Sequence, residues 1–463
     1  MQNVLLIDFG STYTKLTAVD LERPAILGRA RALTTVREGI ERGLERAETT
    51  LAEQTGPIRF DAKLACSSAA GGLRMVAVGL VPELTVEAAR MAALGAGARV
   101  VGAYGFKLSA EQTAEIVRLA PDLLILSGGT DGGDRETILH NCRSLAASPL
   151  ACPIILAGNQ AVASELAETL YASGKTCYRL PNVLPEPGRL NIEPIQAEIR
   201  RIFLERIIHA KGLDKVLPSI DGIMMPTPVA ALNAAKRLAD GDGFERGLGE
   251  LLLVDVGGAT TDVHTVAAGL PADYRVTLRG LPEPLAKRTV EGDLGMRYSA
   301  AALAESVGSA ELAGLAGLSE EEVIAGVARR TGDVGMIPAT AEDERLEEAI
   351  GFLAVRGAVD RHAGTLETVV SPFGISYLQT GKDLTGVPYV IGTGGILANH
   401  PEPARLLRGA CFDPARPEKL KPKNPRLLID RQYVLPTLGL IAEAYPEAAY
   451  KLLRGSLTAA ETR

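Results

Sequence analysis

Two segments far apart in this chain share one design: IDFGSTYTK at 7–15 and VDVGGATTD at 254–262. Each ends an apolar run with an Asp, passes one residue, places a Gly and continues in small hydroxyl residues. VLLI before the first and LLLV before the second predict buried strands, so each segment reads as a strand entering a tight hairpin. A lone D-x-G turn is an ordinary hairpin. Two copies, each behind a buried strand, imply two units of similar build. The chemistry at the two tips is the same. Gly10, Gly257 and Gly258 let backbone N–H groups approach an anion closely. Ser11, Thr12, Thr260 and Thr261 add hydroxyl donors, and Lys15 adds a point charge. Asp8 and Asp255 cannot face a phosphate directly, because like charges repel. Both can hold Mg²⁺ through the metal's water shell. Facing each other, the hairpins would clamp the β- and γ-phosphates of a nucleotide.

A third glycine turn follows the apolar PYVI and precedes the helix-like ILAN. Its residues, Gly392, Thr393, Gly394 and Gly395, would let a flat base and ribose lie against the backbone. Such turns are common alone; order gives this one meaning, with two phosphate hairpins first and an adenosine turn last. Together these residues resemble the actin-like superfamily of sugar kinases, heat-shock chaperones and bacterial actins. DFGSTYTK matches its first phosphate motif, DVGGATTD its second and IGTGGI its adenosine motif. The resemblance implies an α/β fold: a two-lobed actin-like ATPase with a ribonuclease H-like motif in each lobe, binding ATP or ADP with Mg²⁺. A connecting helix in that superfamily starts with an acid or Gln, then Pro and paired alanines. The matching segment here is MMPTPVAALNAAKRL at 224–238. Pro228, Ala230 and Ala231 fit, but Thr227 stands where the acid or amide belongs, and Thr is a poor general base. A slow, switch-like ATPase is therefore expected rather than a fast one. AVRGAVDRHAG at 354–364 looks like the second connecting helix.

Composition excludes several other classes. The chain has 463 residues, too many for one ordinary core. It is 46% hydrophobic yet only 4% aromatic and has no Trp, so its cores must be built from aliphatic residues, as in parallel α/β sheets. The net charge is -7 with both signs interspersed, and no basic-aromatic stripe suggests nucleic acid. MQNVLLIDFG reads as a strand rather than a signal peptide, and no apolar run of membrane-spanning length is present. Cys66, Cys142, Cys152, Cys177 and Cys411 form an odd, scattered set without a C-x-x-C pair, which argues for free thiols in a cytoplasmic protein.

Periodicity orders the chain. Three strands fill the first 31 residues, and a helix over 36–53 sets Val36, Ile40, Leu44, Ala47 and Leu51 on one face. From about Thr85 strands and helices alternate regularly, which predicts a parallel, doubly wound insert. The expected division is 1–84 for the first lobe and 85–185 for a Rossmann-like α/β insert. A connector helix occupies 186–219 and the second lobe 220–435. C-terminal helices at 436–463, interrupted at Pro446, would pack back on the first lobe.

The whole chain also resembles a narrower family, the MutL proteins encoded with glutamate mutase and related adenosylcobalamin-dependent mutases. The carrying segments are LLIDFGSTYTK, ACSSAAGGLRMVAVGL, LILSGGTDGGD, LAGNQ, LLVDVGGATTDVHT and TVEGDLGMRYSA. The resemblance implies an ATP-dependent chaperone or reactivating factor whose partner is an adenosylcobalamin-dependent mutase. Residues 99–133 read like part of a cobalamin-binding module but lack its D-x-H-x-x-G loop. Cobalamin itself is therefore expected not to bind directly. The insert would imitate the shape of a cobalamin domain and dock in its place, although a plain α/β insert reads the same way.

Several residues stay open. His264 follows the second hairpin and suits either a core position or an approach to the phosphates; His362 and His400 carry no assigned role. Glu291 and Asp293 form an acidic pair that suits a nucleotide, a partner or a solvated loop. Metal-assisted water attack on the γ-phosphate, with Asp8 and Asp255 organising Mg²⁺ and water, is the expected chemistry. A metabolite kinase of the same superfamily and a non-hydrolysing nucleotide-binding adaptor are the competing readings.

Overall fold

The computed structural model describes residues 2–10, 12–34, 40–68, 73–210, 215–271, 273–372 and 374–460. Along the chain come β1 (Asn3–Phe9), β2 (Tyr13–Asp20) and β3 (Ala25–Leu33), then a helix (Ile40–Thr55) and β4 (Ala62–Ser67). The helix is the one expected over 36–53, and Val36 lies outside the described residues. Five short strands follow: β5 (Arg74–Val78), β6 (Arg99–Tyr104), β7 (Leu123–Leu126), β8 (Ile154–Leu156) and β9 (Cys177–Arg179). After β10 (Ile223–Pro226) comes the helix Thr227–Asp240. Next are β11 (Leu251–Val256), β12 (Thr261–Val266), β13 (Val276–Arg279) and β14 (Ala286–Glu291). Helices then dominate up to His362, followed by β15 (Thr365–Ser371), β16 (Gly374–Thr380), β17 (Tyr389–Thr393), β18 (Arg426–Asp430) and β19 (Leu457–Ala459).

Two of the sheets have the same connectivity. The first runs β3-β2-β1-β4-β10 and the second β14-β12-β11-β17-β18, with β19 added at the edge. In each, the first three strands form an antiparallel meander, and the fourth and fifth run parallel to the first. This is the ribonuclease H-like motif, present twice, and it is the two-lobed actin-like architecture expected from the paired hairpins. The sheets share an apolar interior. Val4, Leu6 and Val19 of the first and Leu251, Leu253 and Val266 of the second pack around Ala230, Ala234 and Leu238 of helix Thr227–Asp240. The far face of the second sheet packs Val254 and Val263 against Leu353 and Ala354 of the helix Ala341–His362.

The chain divides into two compact units. One comprises Met1–Ala69, Lys215–Arg279 and Glu283–Arg463; the other comprises Ala70–Asp214 with Gly280–Pro282. The second unit therefore begins earlier and ends later than the 85–185 expected from periodicity. The physical reason is β5, which hydrogen-bonds in parallel between β6 and β7 and so belongs to the insert's sheet. That sheet is parallel throughout, in the order β6-β5-β7-β8-β9, the doubly wound arrangement in which the strand order reverses beside the first strand. At the C-terminus, Pro446 does not interrupt a helix. It starts one, Pro446–Ser456, because Pro lacks only an N–H that a first turn leaves free. Leu452 and Leu453 of that helix join the core containing Val4 and Leu6.

Candidate functional site

The first hairpin leaves β1 at a buried carboxylate. Asp8 is 1% exposed and lies in register with Lys15 on β2 and Cys66 on β4. Both of its oxygens have partners. Lys15 Nζ pairs with Oδ2 at 2.9 Å. The Thr227 hydroxyl donates to Oδ1 at 2.7 Å, and the Cys66 thiol points at the same oxygen from 3.7 Å. Burial works against the charge on Lys15, but Asp8, Tyr433 and Asp255 outweigh it and hold the ammonium charged. Burial and the neighbouring Asp8 push the Cys66 thiol well up, so it stays protonated. Gly10 closes the turn by donating to the Tyr13 carbonyl at 3.1 Å. A methyl group there would sit 2.6 Å from that oxygen, so no larger residue fits. Ser11 lies outside the described residues.

The second hairpin repeats the plan with different neighbours. Asp255 ends β11 half-buried, in register with Asp262 on β12 and Thr393 on β17. No protein donor reaches its carboxylate among the described residues. Burial pushes its pKa up to about 7; Lys15 opposes this, while Asp262, Asp8 and Asp430 add to it. Gly257 closes the turn on the Thr260 carbonyl at 2.9 Å. The Thr260 hydroxyl donates to Asp262, which also takes Arg288 at 2.5 Å. Thr261 donates to the Leu294 carbonyl and is buried, so its hydroxyl is spent on the fold.

The two hairpin tips meet. A methyl group on Gly258 would lie 3.8 Å from the Thr12 hydroxyl. The glycine turn after β17 joins them: Gly394 has φ +99, and a methyl group there would be 2.3 Å from the Val256 carbonyl and 2.9 Å from Asp255 Oδ1. Only glycine lets that turn lie on the Asp255 strand end. Gly395 is open, whereas Gly392 is packed between Ile429 and Leu397. Thr393 is buried and donates to Asp430 Oδ2 at 3.0 Å.

Sequence reasoning missed Asp430 and Tyr433. Asp430 ends β18, is fully buried, and keeps Oδ1 without a hydrogen-bond partner. Burial raises its pKa against four stabilising hydrogen bonds. A signal was present, because LLID at 427–430 repeats LLID at 5–8 and LLVD at 252–255. Tyr433 places its ring 3.9 Å from Lys15 Nζ. The remaining candidates are structural in position. His264 is buried within the protein, and its pKa is pushed down to about 3 by burial. His362 lies between the hydroxyls of Thr265 and Thr289 at 2.9 and 2.8 Å, and His400 accepts from the Glu402 N–H. Glu291 and Asp293 both bind Arg361, at 2.8 and 2.7 Å.

The donor set suits Mg²⁺ held through water. Among the described residues no group of three or more His, Cys, Asp or Glu side chains surrounds a point where a metal could sit. An ion ligated wholly by protein is therefore not indicated. Asp255, with free carboxylate oxygens beside the hairpin tips, is the kind of single hard ligand that a hydrated Mg²⁺ takes. Asp8 would reach such an ion only by giving up a present partner.

A family model described as MutL protein matches residues 4–457. Protein MutL of Clostridium tetanomorphum is 46% identical over 456 residues, covering 98% of this chain and 99% of that protein. Among solved structures, a nucleotide-free acetone carboxylase aligns with a TM-score of 0.41 at 14% identity, covering 96% of this chain and 70% of that one. A nucleotide-free diol dehydratase-reactivating factor aligns at 0.38 and 10% identity, covering 96% and 100%. The activator of 2-hydroxyisocaproyl-CoA dehydratase from Clostridium difficile aligns at 0.34 and 10% identity, covering 97% of each chain. The fold rests on the strand order itself rather than on these distant likenesses.

Proposed function

The chain belongs to the MutL protein family, and from that premise we propose that it is an ATP-dependent reactivating factor for an adenosylcobalamin-dependent mutase of the glutamate mutase or aminomutase type. The observation that carries the nucleotide half of this reading is the meeting of the two hairpin tips at Thr12 and Gly258 above Asp8, Lys15 and Asp255. The mutase half rests on family membership.

ATP lies between the tips, with its phosphates on the backbone of Thr12 and Gly258 and its adenosine against Gly394 and Gly395; the N–H groups of Gly10 and Gly257, expected to meet the anion, instead close their own turns on Tyr13 and Thr260. Mg²⁺, when bound, neutralises phosphate charge and orders water. Lys15 supplies a fixed positive charge, and Asp255 holds a water molecule through its free oxygens. Thr227 binds Asp8 at the head of the connecting helix, where a stronger base would otherwise activate water, and turnover is slow. ATP and ADP favour different arrangements of the two lobes, and that difference is the output.

The inserted unit docks on the mutase without taking cobalamin itself. Support comes from the loop after β7, where a doubly wound sheet binds ligands. Asn159 Oδ1 accepts from the Gly132 N–H at 3.0 Å, its Nδ2 donates to the Gly133 and Asp134 carbonyls, and Asn182 donates to the Gly129 carbonyl. Asn159 and Asn182 thus tie the Gly129, Gly132, Gly133 and Asp134 backbone of the loop to its own unit. The protein acts in the cytoplasm, and no helix among the described residues is long and apolar enough to cross a membrane.

The test is one assay: an inactivated cobalamin mutase is incubated with this protein, ATP, Mg²⁺ and fresh adenosylcobalamin. Recovery is expected; none with either glutamate or ornithine mutase would sink the proposal. Phosphate release that depends strictly on a small acceptor would identify a metabolite kinase instead. Tight ATP binding with no turnover, even with the mutase present, would identify an adaptor. Binding of the mutase by a variant lacking the inserted unit, 70–214, as strong as by the full chain would refute docking through the insert.

A further inference from the structure

Tyr433 has no part in the nucleotide scheme, yet its backbone is held in an unusual state. Its φ is +53, in the left-handed region that a bulky L-residue enters only when its surroundings hold it there. The surrounding contacts enforce it. Its N–H donates to the Asp430 carbonyl at 3.2 Å. Arg29 on β3 donates to the carbonyl of the preceding Gln432 at 2.5 Å. Asp430 Oδ2 accepts from the N–H groups of Val434 and Leu435, both at 2.9 Å. The outcome is a half-buried ring set 3.9 Å from Lys15 Nζ. Burial pushes the phenol up to about 12, so the ring meets the ammonium as a neutral aromatic face.

The contacts form one series across the site. Thr393, in the adenosine turn, binds Asp430; Asp430 organises the turn carrying Tyr433; Tyr433 carries Lys15; Lys15 pairs with Asp8; and Asp8 accepts from Thr227 at the head of the connecting helix. Resting on the nucleotide reading above, we infer that Tyr433 is a positioning residue of the phosphate site: it fixes the place of the Lys15 ammonium and ties that place to the adenosine turn through Asp430. An ammonium held over an aromatic face, partly withdrawn from water, is attracted by the ring's negative face, which decides where a flexible lysine side chain points.

The experiment compares the full-length protein with Tyr433→Phe, Tyr433→Leu, Lys15→Ala and the Tyr433→Leu/Lys15→Ala double variant. Binding of ATP and of adenosine is titrated separately. The inference expects Tyr433→Leu to weaken ATP binding about tenfold while adenosine binding holds, since only the phosphates sense Lys15. Tyr433→Phe keeps the ring face and should restore ATP binding to within about twofold. In the Lys15→Ala background, Tyr433→Leu should add nothing. A second readout needs no nucleotide: acylation of the Lys15 amine, followed by peptide mass spectrometry, should rise several-fold in Tyr433→Leu and not in Tyr433→Phe. If Tyr433→Leu fails to fold, Tyr433→Asn removes the ring while tolerating the left-handed backbone. Unchanged Lys15 labelling, or an equal loss of ATP binding with and without Lys15, overturns the inference. A wild-type protein that binds neither ATP nor adenosine overturns the nucleotide reading instead, while the labelling still decides what holds Lys15.

Discussion

The two sheets carry matching rows of residues across their strand ends, and the rows differ in charge. In the first sheet the row is Lys15, Asp8 and Cys66 on β2, β1 and β4. In the second the equivalent row on β12, β11 and β17 is Asp262, Asp255 and Thr393. One register therefore places a cation beside the first strand-end Asp and another acid beside the second. Asp8 is saturated by Lys15, Thr227 and Cys66. Asp255 accepts from no protein donor among the described residues, and burial pushes its pKa up to about 7. Duplicated backbones thus present two Asp residues in different settings: one is held by Lys15 and by Thr227 at the head of helix Thr227–Asp240, and the other meets no protein donor among the described residues.

This comparison breaks most sharply on stability. Asp8→Ala and Asp255→Ala should both abolish ATP-dependent recovery of the mutase. Their folded states should respond differently. Asp8→Ala strands a largely buried Lys15 and should cost about 3–5 kcal/mol. Asp255→Ala removes a carboxylate that burial disfavours and should be neutral or slightly stabilising. Denaturant unfolding of the two variants measures this, and equal losses would show that the two Asp residues are not divided in role. Next in size is Thr227→Val, which takes the hydroxyl from Asp8 Oδ1 and leaves only a weak thiol donor there. A loss of about 1–3 kcal/mol is expected in the same measurement, and no loss would mean that the Thr227–Asp8 bond contributes nothing net.

The paired hairpins, the order of the three glycine turns and the two-lobed fold were legible because each depends on a local pattern: apolar run, Asp, Gly, hydroxyls. The start of the insert was less legible. Strand β5 is short, and its membership is decided by β6 and β7, which lie far along the chain. The site's third acid was hidden for a similar reason. LLID at 427–430 has the strand and the Asp but no following glycine hairpin, so nothing local marks Asp430 as a neighbour of Thr393. Tyr433 was hidden further still, since a single aromatic in a loop carries no period, and its contact with Lys15 joins opposite ends of the chain. Pattern reveals what backbone repeats place; it does not reveal what a turn swings into the space between them.

The smallest expected effect concerns the row one step deeper. Thr17 pairs in register with Leu6, and His264 pairs in register with Leu253. Thr17 is satisfied, since its hydroxyl meets that of Thr437 at 3.1 Å. His264 has neither ring nitrogen hydrogen-bonded among the described residues. Burial keeps its imidazole neutral down to about 3, whereas an unfolded His takes a proton near 6.5. Between those values the unfolded state binds the extra proton, so stability falls as pH drops below about 6.5 and flattens again below about 3. The slope from this one group is at most about 1.4 kcal/mol per pH unit. His264→Leu should remove that part of the acid lability in unfolding curves taken at pH 6.5 and 5.5. Thr17→Val is the matching control: it should lower stability by about 1 kcal/mol at both pH values alike. If His264→Leu leaves the acid slope as it was, the imidazole is not the buried neutral group that its place between the second sheet and the connecting helix implies.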